Sequence, residues 1–314
     1  METLEATGSP LTPLELFQSK ELVTVAAPMV RYSKLAFRTL VRQYNCDLCF
    51  TPMIVSDSFN KSDKARHSDF TTSKGDRPLI VQFAASNAED LVQAASLVAP
   101  YSSGVDLNCG CPQRWALQEG YGACLIHQPE RVADMITRTR AAVNNQHFSV
   151  SVKIRIHNDT RKTVSLCRQL EAAGASFLTV HGRTVDQRTS PVDLEAVRDI
   201  VDAVSVPVIA NGDIRSMEDA RIVQQQTGVK GVMAARGLLA NPALFAGHDL
   251  TPLSCVRDWV CSSISTGTHF TNFHHHLIYM LDKQLSRAER RYFNSLGSIV
   301  GVTEFLKEKY NLQL

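Results

Sequence analysis

The chain has 314 residues, 44% hydrophobic and 20% charged, an ordinary globular balance that argues against disorder. Lysines and arginines number 33 against 31 aspartates and glutamates, a net charge of +2; a nucleic-acid partner is neither required nor excluded, and would need locally clustered charge. No apolar run approaches the roughly 20 residues that span a bilayer, and the first 20 residues lack the apolar core of a secretory signal, so no membrane partner is expected.

Eight short runs, near-continuously apolar and stopped by Gly, Pro, Asn or Asp, read as buried parallel strands: 22–27, 48–55, 79–84, 104–108, 149–156, 177–181, 207–211 and 231–235. Amphipathic helices lie between most of them. Ser33 is placed to cap a helix over 34–44, and Asn87 precedes another over 88–98 with Glu89 and Asp90 in its first turn, where acids suit the helix dipole. Ser216 and Asp219 open a third over 217–226 in the manner of a capping box. Eight β/α units in about 225 residues match a (β/α)8 TIM barrel better than an open doubly wound sheet. Past Asn241-Pro242 the strand signal stops. Segment 249–252 reads as a linker, and 253–265, 273–285 and 289–309 as helices. The expected organisation is an N-terminal extension (1–20), a barrel (21–248) and a small C-terminal helical domain (249–314).

In such barrels reactive groups gather at the carboxyl ends of the strands. There the sequence places Pro28, Met29, Gln82, Asp106, Asn108, Lys153, Arg155, His181, Asn211 and Arg236. The loops Asn211-Gly212-Asp213 and Ala235-Arg236-Gly237 follow the last two strands, the usual phosphate grip, where glycines let backbone approach an anion. An inward Lys153 is either an electrostatic partner for a reduced flavin ring or a core-edge lysine paired with a carboxylate. His181 is either a site residue or a satisfied core histidine. Cys111 lies in a glycine-containing loop; an ordinary thiol, with a pKa of about 8.5, is mostly protonated at neutral pH and can donate a proton to a carbanion. The spacing of Cys46 and Cys49 matches half a zinc site, but the pair abuts an apolar strand without a second such pair, so no metal is expected. The eight cysteines are spread through apolar segments, which points to reduced thiols and cytoplasmic residence, with the nucleus also open. His274-His275-His276 reads as a solvated or RNA-facing stretch. Arg138, Arg140, Arg155, Arg161, Lys162 and Arg168 offer locally clustered charge.

Taken together, Ala27-Pro28-Met29, Val81-Gln82-Phe83, Asp106-x-Asn108-x-Gly110-Cys111-Pro112, Gly120-Tyr121-Gly122-Ala123, Lys153-x-Arg155, His181-Gly182-Arg183-Thr184 and Asn211-Gly212-Asp213 resemble the tRNA-dihydrouridine synthases. The likeness is close over about 22–240, loose over the tail, and nearest to the eukaryotic type acting on D-loop uridines 20a and 20b. It implies an FMN enzyme that reduces the C5–C6 bond of uridine in tRNA with electrons from NADPH or NADH. By the same resemblance Pro28, Met29 and Val30 line the flavin, and Gln82, Lys153 and His181 contact its ring. Asn211, Gly212, Asp213, Ala235 and Arg236 hold its phosphate end. Asn108 touches flavin and substrate, and Cys111 is the proton donor. Arg114, Arg155 and Arg183 near the mouth, with Lys283, Arg287, Arg290 and Arg291 in the tail, are the expected tRNA contacts. Two alternatives stand beside this reading: a small-molecule dihydropyrimidine-type flavin oxidoreductase, and a flavin-poor tRNA-binding protein with a relic barrel. A monomer is expected.

Overall fold

The computed structural model describes residues 11–313. Nine parallel strands close into a barrel: β1 (Val23–Ala26), β2 (Leu48–Phe50), β3 (Ile54–Val55), β4 (Leu79–Ala84), β5 (Gly104–Cys109), β6 (Ser149–Arg155), β7 (Leu178–His181), β8 (Val208–Asn211) and β9 (Gly231–Ala234). Their order runs β2-β1-β9-β8-β7-β6-β5-β4-β3, and β2 also pairs with β4. β2 and β3 therefore share one of the eight barrel positions. They are the two halves of the single strand expected over 48–55, interrupted at Pro52, which has no amide hydrogen to give the ladder. Thr51 turns there instead, its hydroxyl accepting from the Gln82 amide at 3.1 Å and donating to the Pro52 carbonyl at 2.9 Å.

The helices are α1 (Pro13–Ser19), α2 (Leu35–Gln43), α3 (Ser56–Lys61), α4 (Asp63–Asp69), α5 (Ala88–Val98), α6 (Arg114–Gln118), α7 (Pro129–Ala142), α8 (Thr160–Ala172), α9 (Leu194–Ala203), α10 (Met217–Thr227), α11 (Arg236–Ala240), α12 (Leu253–Ser265), α13 (Phe270–Leu281), α14 (Arg287–Ser295) and α15 (Ile299–Tyr310). Alternation along the strands sends one set of side chains to the barrel axis and the other to the helices. Val23, Val25, Leu48, Phe50, Ile80, Ile209 and Met233 fill the interior. Within the stretch expected to be a mere extension, α1 closes the barrel floor: Leu16 and Phe17 join that interior cluster, and the Phe17 ring packs on Phe177 at 5.4 Å. A reciprocal capping box between Thr12 and Glu15 starts this plug. Thr12→Ala is expected to lower stability by about 1 kcal/mol, read as a shift in urea midpoint at unchanged slope.

The tail shares the outer core with the barrel. Trp259, Phe273, Leu277, Met280 and Leu281 belong to the same buried cluster as Phe37 and Leu40 of α2. The expected linker is not a free tether, since Thr251 is buried and its hydroxyl donates to the Ala240 carbonyl at 3.0 Å. The long helix expected over 289–309 is two, because Gly297 interrupts it and Ser298 caps α15 by accepting from the Gly301 amide. The histidine run is not a solvated stretch. His274 and His276 are buried, bonded through Nε2 to the carbonyls of Phe293 and Tyr32 at 2.9 and 3.2 Å. Nor do the six cations form one patch. Arg138 pairs with Glu89 on the helical shell, Arg161 pairs with Asp159, and Lys162 is exposed beside a cleft that Asp159 and Asp186 also line. Arg140 and Arg168 reach carbonyls at Phe148 and Ala203, near the barrel floor, whereas Arg155 stands at the mouth.

Candidate active site

Parallel register stacks the polar residues in rows. Gln82, Asp106 and Ser151 are partners across β4, β5 and β6; Asn108 and Lys153 are partners above them; Arg155, His181 and Asn211 are partners across β6, β7 and β8 at the mouth. Hydrogen bonds join the first two rows. Ser151 Oγ donates to Asp106 Oδ1 at 2.7 Å, and Gln82 Nε2 donates to Asp106 Oδ2 at 2.8 Å. With its amide so oriented, Gln82 Oε1 accepts from Asn108 Nδ2 at 2.9 Å. Asn108 Oδ1 is then left to accept from the backbone amides of Gly110 and Cys111 at 3.1 and 2.9 Å. A buried carboxylate thus fixes the loop that presents the Cys111 thiol. From the far side the Ala123 amide donates to the Cys111 carbonyl at 3.0 Å. Gly122 makes that contact possible, for its φ is +71° and a Cβ there would meet the Cys111 carbonyl oxygen at 2.6 Å. Asp106 appeared in the sequence as part of a motif, but its anchoring role depends on cross-strand register and was missed.

Three titratable groups crowd this mouth. Burial raises Asp106 to about 6, partly offset by its hydrogen bonds from Gln82 and Ser151 and by Lys153. Burial lowers Lys153 to about 8, with attraction from Asp106 and repulsion from Arg155 partly cancelling. At neutral pH the carboxylate and the ammonium are therefore both charged. Burial, with Lys153, Arg155, Arg183 and Arg236 nearby, lowers His181 to about 2 and keeps it neutral. Arg183 Nη1 lies 3.4 Å from His181 Nε2; an arginine can only donate, so Nε2 accepts and Nδ1 carries the proton.

In the candidate phosphate loops both glycines also answer to packing. Gly212 has φ +126°, and a Cβ there would meet Val192 at 2.7 Å; at Gly237 it would meet the Ile214 carbonyl at 2.2 Å. Packing within the chain, rather than an anion, already requires both glycines. Asn211 Nδ2 ties β8 to the Met233 carbonyl at 2.9 Å. Asp213 is a hub that pairs with Arg183, Arg236 and Arg215. Three guanidiniums against one carboxylate leave two positive charges, which suits a phosphate monoester of about −2. Ala235 offers no side-chain cap to α11, so first-turn amides add donors.

Arg183 is buried, held by Asp213 and the Ser190 carbonyl. It is not available to RNA and belongs with the charges gathered on Asp213. Arg155 is half-buried and spans two loops through bonds to the carbonyls of Gly110 at 2.9 Å and Thr184 at 3.0 Å. Arg114 is exposed at the start of α6, and beside it the Trp115 ring, 42% exposed, was overlooked; an exposed tryptophan next to an arginine was the available signal. Pro28 and Met29 are half-buried and Val30 is a rim residue, 52% exposed. Lys283, Arg287 and Arg291 are exposed and Arg290 pairs with Asp282 at 3.1 Å. These four lie beyond the carboxyl end of α13, roughly 20 Å along its axis from His269. No cluster of metal-ligating side chains occurs among the described residues, and no described helix is long and apolar enough to cross a membrane.

Residues 24–309 match the family model "Dihydrouridine synthase (Dus)". The chain belongs to the dihydrouridine synthase family. It is similar to a mouse relative named tRNA-dihydrouridine(20a/20b) synthase [NAD(P)+]-like, 58% identical over 95% of this chain and 92% of that one. The human protein of that name is 57% identical over 96% and 95%, and the Saccharomyces cerevisiae tRNA-dihydrouridine(20a/20b) synthase [NAD(P)+] 37% identical over 96% and 85%. Among solved structures, an old yellow enzyme homologue from Zymomonas mobilis aligns over 71% of this chain and 86% of its own, with a TM-score of 0.50 at 11% identity. That likeness is one of fold, and it agrees with the closed barrel. The family is one of oxidoreductases.

Proposed function

We propose that the protein is an FMN-dependent tRNA-dihydrouridine synthase that reduces the C5–C6 bond of a D-loop uridine, at 20a or 20b, with electrons from NADPH or NADH. The observation that carries the reading is the convergence of Cys111, Asn108, Lys153 and His181 on one barrel mouth, with the Cys111 loop tied to Asp106 through Asn108 and Gln82. The residues fit FMN on two counts. The charge balance of Arg183, Arg215 and Arg236 against Asp213 suits its phosphate, with Asn211, Gly212 and Ala235 beside it. The ammonium of Lys153 and the Nδ1–H of His181 suit an electron-rich ring flanked by Gln82, Pro28, Met29 and Val30. A reduced flavin, when bound, supplies the hydride for C6 of the base.

The chain's own residues supply the rest. Cys111 delivers a proton to C5, and its thiolate is reprotonated from solvent, so hydride and proton together saturate the double bond. Asn108 holds the Cys111 amide and thereby the thiol's approach, and Arg155 bridges the two flanking loops at the mouth. A uridine in folded tRNA has to be drawn out of its stack; Trp115 and Arg114 offer a stacking face and a phosphate contact at the rim, and Lys283, Arg287 and Arg291 a longer-range basic surface. The cysteines are free thiols, in keeping with a cytoplasmic enzyme.

The test is direct. Purified protein is expected to be yellow and, with NADPH and an unmodified tRNA transcript, to add two hydrogens to one D-loop uridine, located by mass spectrometry. A colourless protein that leaves tRNA unchanged sinks the proposal. Reduction of free pyrimidines but not of tRNA decides for a small-molecule oxidoreductase.

A further inference from the structure

We propose that the cleft between the β1–α2 turn and the amino end of α13 is a ribose-phosphate subsite for the RNA strand beside the target uridine. It rests on the reading that the substrate is tRNA. The cleft encloses about 360 Å3 beside the barrel rim, between Arg31 and Lys34 on one wall and His269 and Asn272 on the other, and none of its lining residues is acidic.

Its chemistry comes from three departures from ordinary local structure. First, α2 lacks the side-chain cap expected of it. Ser33 has turned inward, accepting from the Met29 amide at 2.9 Å and donating to the Met29 carbonyl at 3.3 Å. The amides of Leu35 and Ala36, residues of the cleft lining, are therefore left without a capping acceptor, while the Phe37 amide bonds the Lys34 carbonyl at 3.0 Å and the His269 side chain caps α13 at the Thr271 amide. Second, Arg31 is a non-glycine residue at φ +73°, directly after the exposed Val30. Such a conformation is uncommon for a branched, bulky or long side chain and is retained where the surroundings demand it. Here it brings a guanidinium, free of ion pairs among the described residues, to the cleft wall.

Third, His276 lines the cleft yet is only 1% exposed, wedged between Phe37 and Trp259 at ring distances of 4.5 and 4.4 Å. Its Nε2 lies 3.2 Å from the Tyr32 carbonyl and must be the protonated nitrogen, since a carbonyl only accepts. Nδ1 is then a lone-pair acceptor, and it is buried without a partner. Helical side chains lean toward the amino end of their helix, and Asn272, one turn before His276, lines the same cleft. The site therefore asks for an anion and, within one sugar's reach, a hydroxyl donor. A ribose carrying phosphate and a 2′-hydroxyl supplies both, and the 2′-hydroxyl is what distinguishes RNA from DNA.

The same chemistry occurs in NADPH, so the experiment has two arms. The double variant Arg31→Gly with Lys34→Gln removes both cations, and glycine is at ease at a positive φ. Expected are a roughly tenfold weaker Kd for unmodified tRNA transcript by gel shift near physiological salt, and a log Kd against log salt slope shallower by about two contacts. In wild type, single 2′-deoxy substitutions across the D-loop are expected to weaken binding severalfold at one nucleotide next to the target. His276→Phe, which keeps the ring stack, is expected to erase that one sensitivity. Unchanged tRNA affinity and slope in the double variant overturn the subsite even when wild type forms dihydrouridine. A raised KM for NADPH with tRNA affinity intact also overturns it, assigning the cleft to the dinucleotide. Binding is read without turnover, so failure of wild type to make dihydrouridine counts against the functional reading alone.

Discussion

Cys111→Ala is expected to slow uridine reduction by about 10²–10⁴-fold, the usual scale for a positioned acid, while the protein stays folded, yellow and reducible by NADPH. The expectation follows from what holds the thiol and from what does not. The backbone at Cys111 is fixed on both sides, by Asn108 Oδ1 at its amide and by the Ala123 amide at its carbonyl. These bonds involve no side-chain atom of residue 111, so alanine leaves the loop in place. Cys111 is only half-buried, so losing its sulfur opens little cavity. Lys153 and His181 lie on β6 and β7 and keep their own contacts. Two half-reactions separate the roles. In stopped flow, bleaching of the yellow colour by NADPH is expected at the wild-type rate, whereas single-turnover formation of dihydrouridine by the prereduced variant is expected to collapse. Near-normal dihydrouridine formation removes Cys111 from acid catalysis and leaves it a loop residue.

The barrel was legible because its strands are buried on both faces and so read as apolar runs with clear stops. The interruption at Pro52 was visible as a residue type but not as a break, since an apolar run continues across it. The mouth residues were legible by position: Lys153, His181, Asn108 and Cys111 all follow from strand ends. Their linkage was not. Nothing in one dimension says that Gln82, Asp106 and Ser151 share a row, because register across three strands decides it. Charge misled in a second way. Arg183 and Arg155 read as free cations, but backbone carbonyls and Asp213 occupy them. The histidine run misled for the opposite reason, since two polar rings find carbonyl partners in a core. Ser33 was a sound cap by propensity, and the turn before it took the hydroxyl instead. Local rules that fail for an identifiable competing bond mark places where the chain is built for something other than stability.

Asp106→Asn is expected to stabilise the fold and damage the enzyme. An asparagine keeps the shape: its Oδ1 accepts from Gln82 Nε2, and its Nδ2 donates to Ser151 Oγ in place of the present reverse bond. Only the charge is lost, and that charge is costly. Asp106 titrates at about 6 in the folded protein against 3.8 in the unfolded chain, a difference of about 2 units, or up to about 3 kcal/mol at 1.36 kcal/mol per unit. The sign follows from proton binding. Between pH 4 and 6 the folded protein holds a proton that the unfolded chain has released, so this residue's contribution falls as pH rises and is lowest above 6. The variant's advantage in urea unfolding is therefore expected to be near its maximum at pH 7 and to vanish below about pH 4. Function moves the other way. Without the carboxylate, Lys153 loses an attraction that raises it, so it falls below about 8 and a larger fraction is neutral at physiological pH. Its hold on negative charge weakens, and the alkaline limb of the rate profile is expected to shift toward lower pH. A purely structural Asp106 would leave that limb where it is. Equal stability of wild type and variant at pH 7, with an unmoved limb, would show that the buried carboxylate neither costs the fold nor serves Lys153.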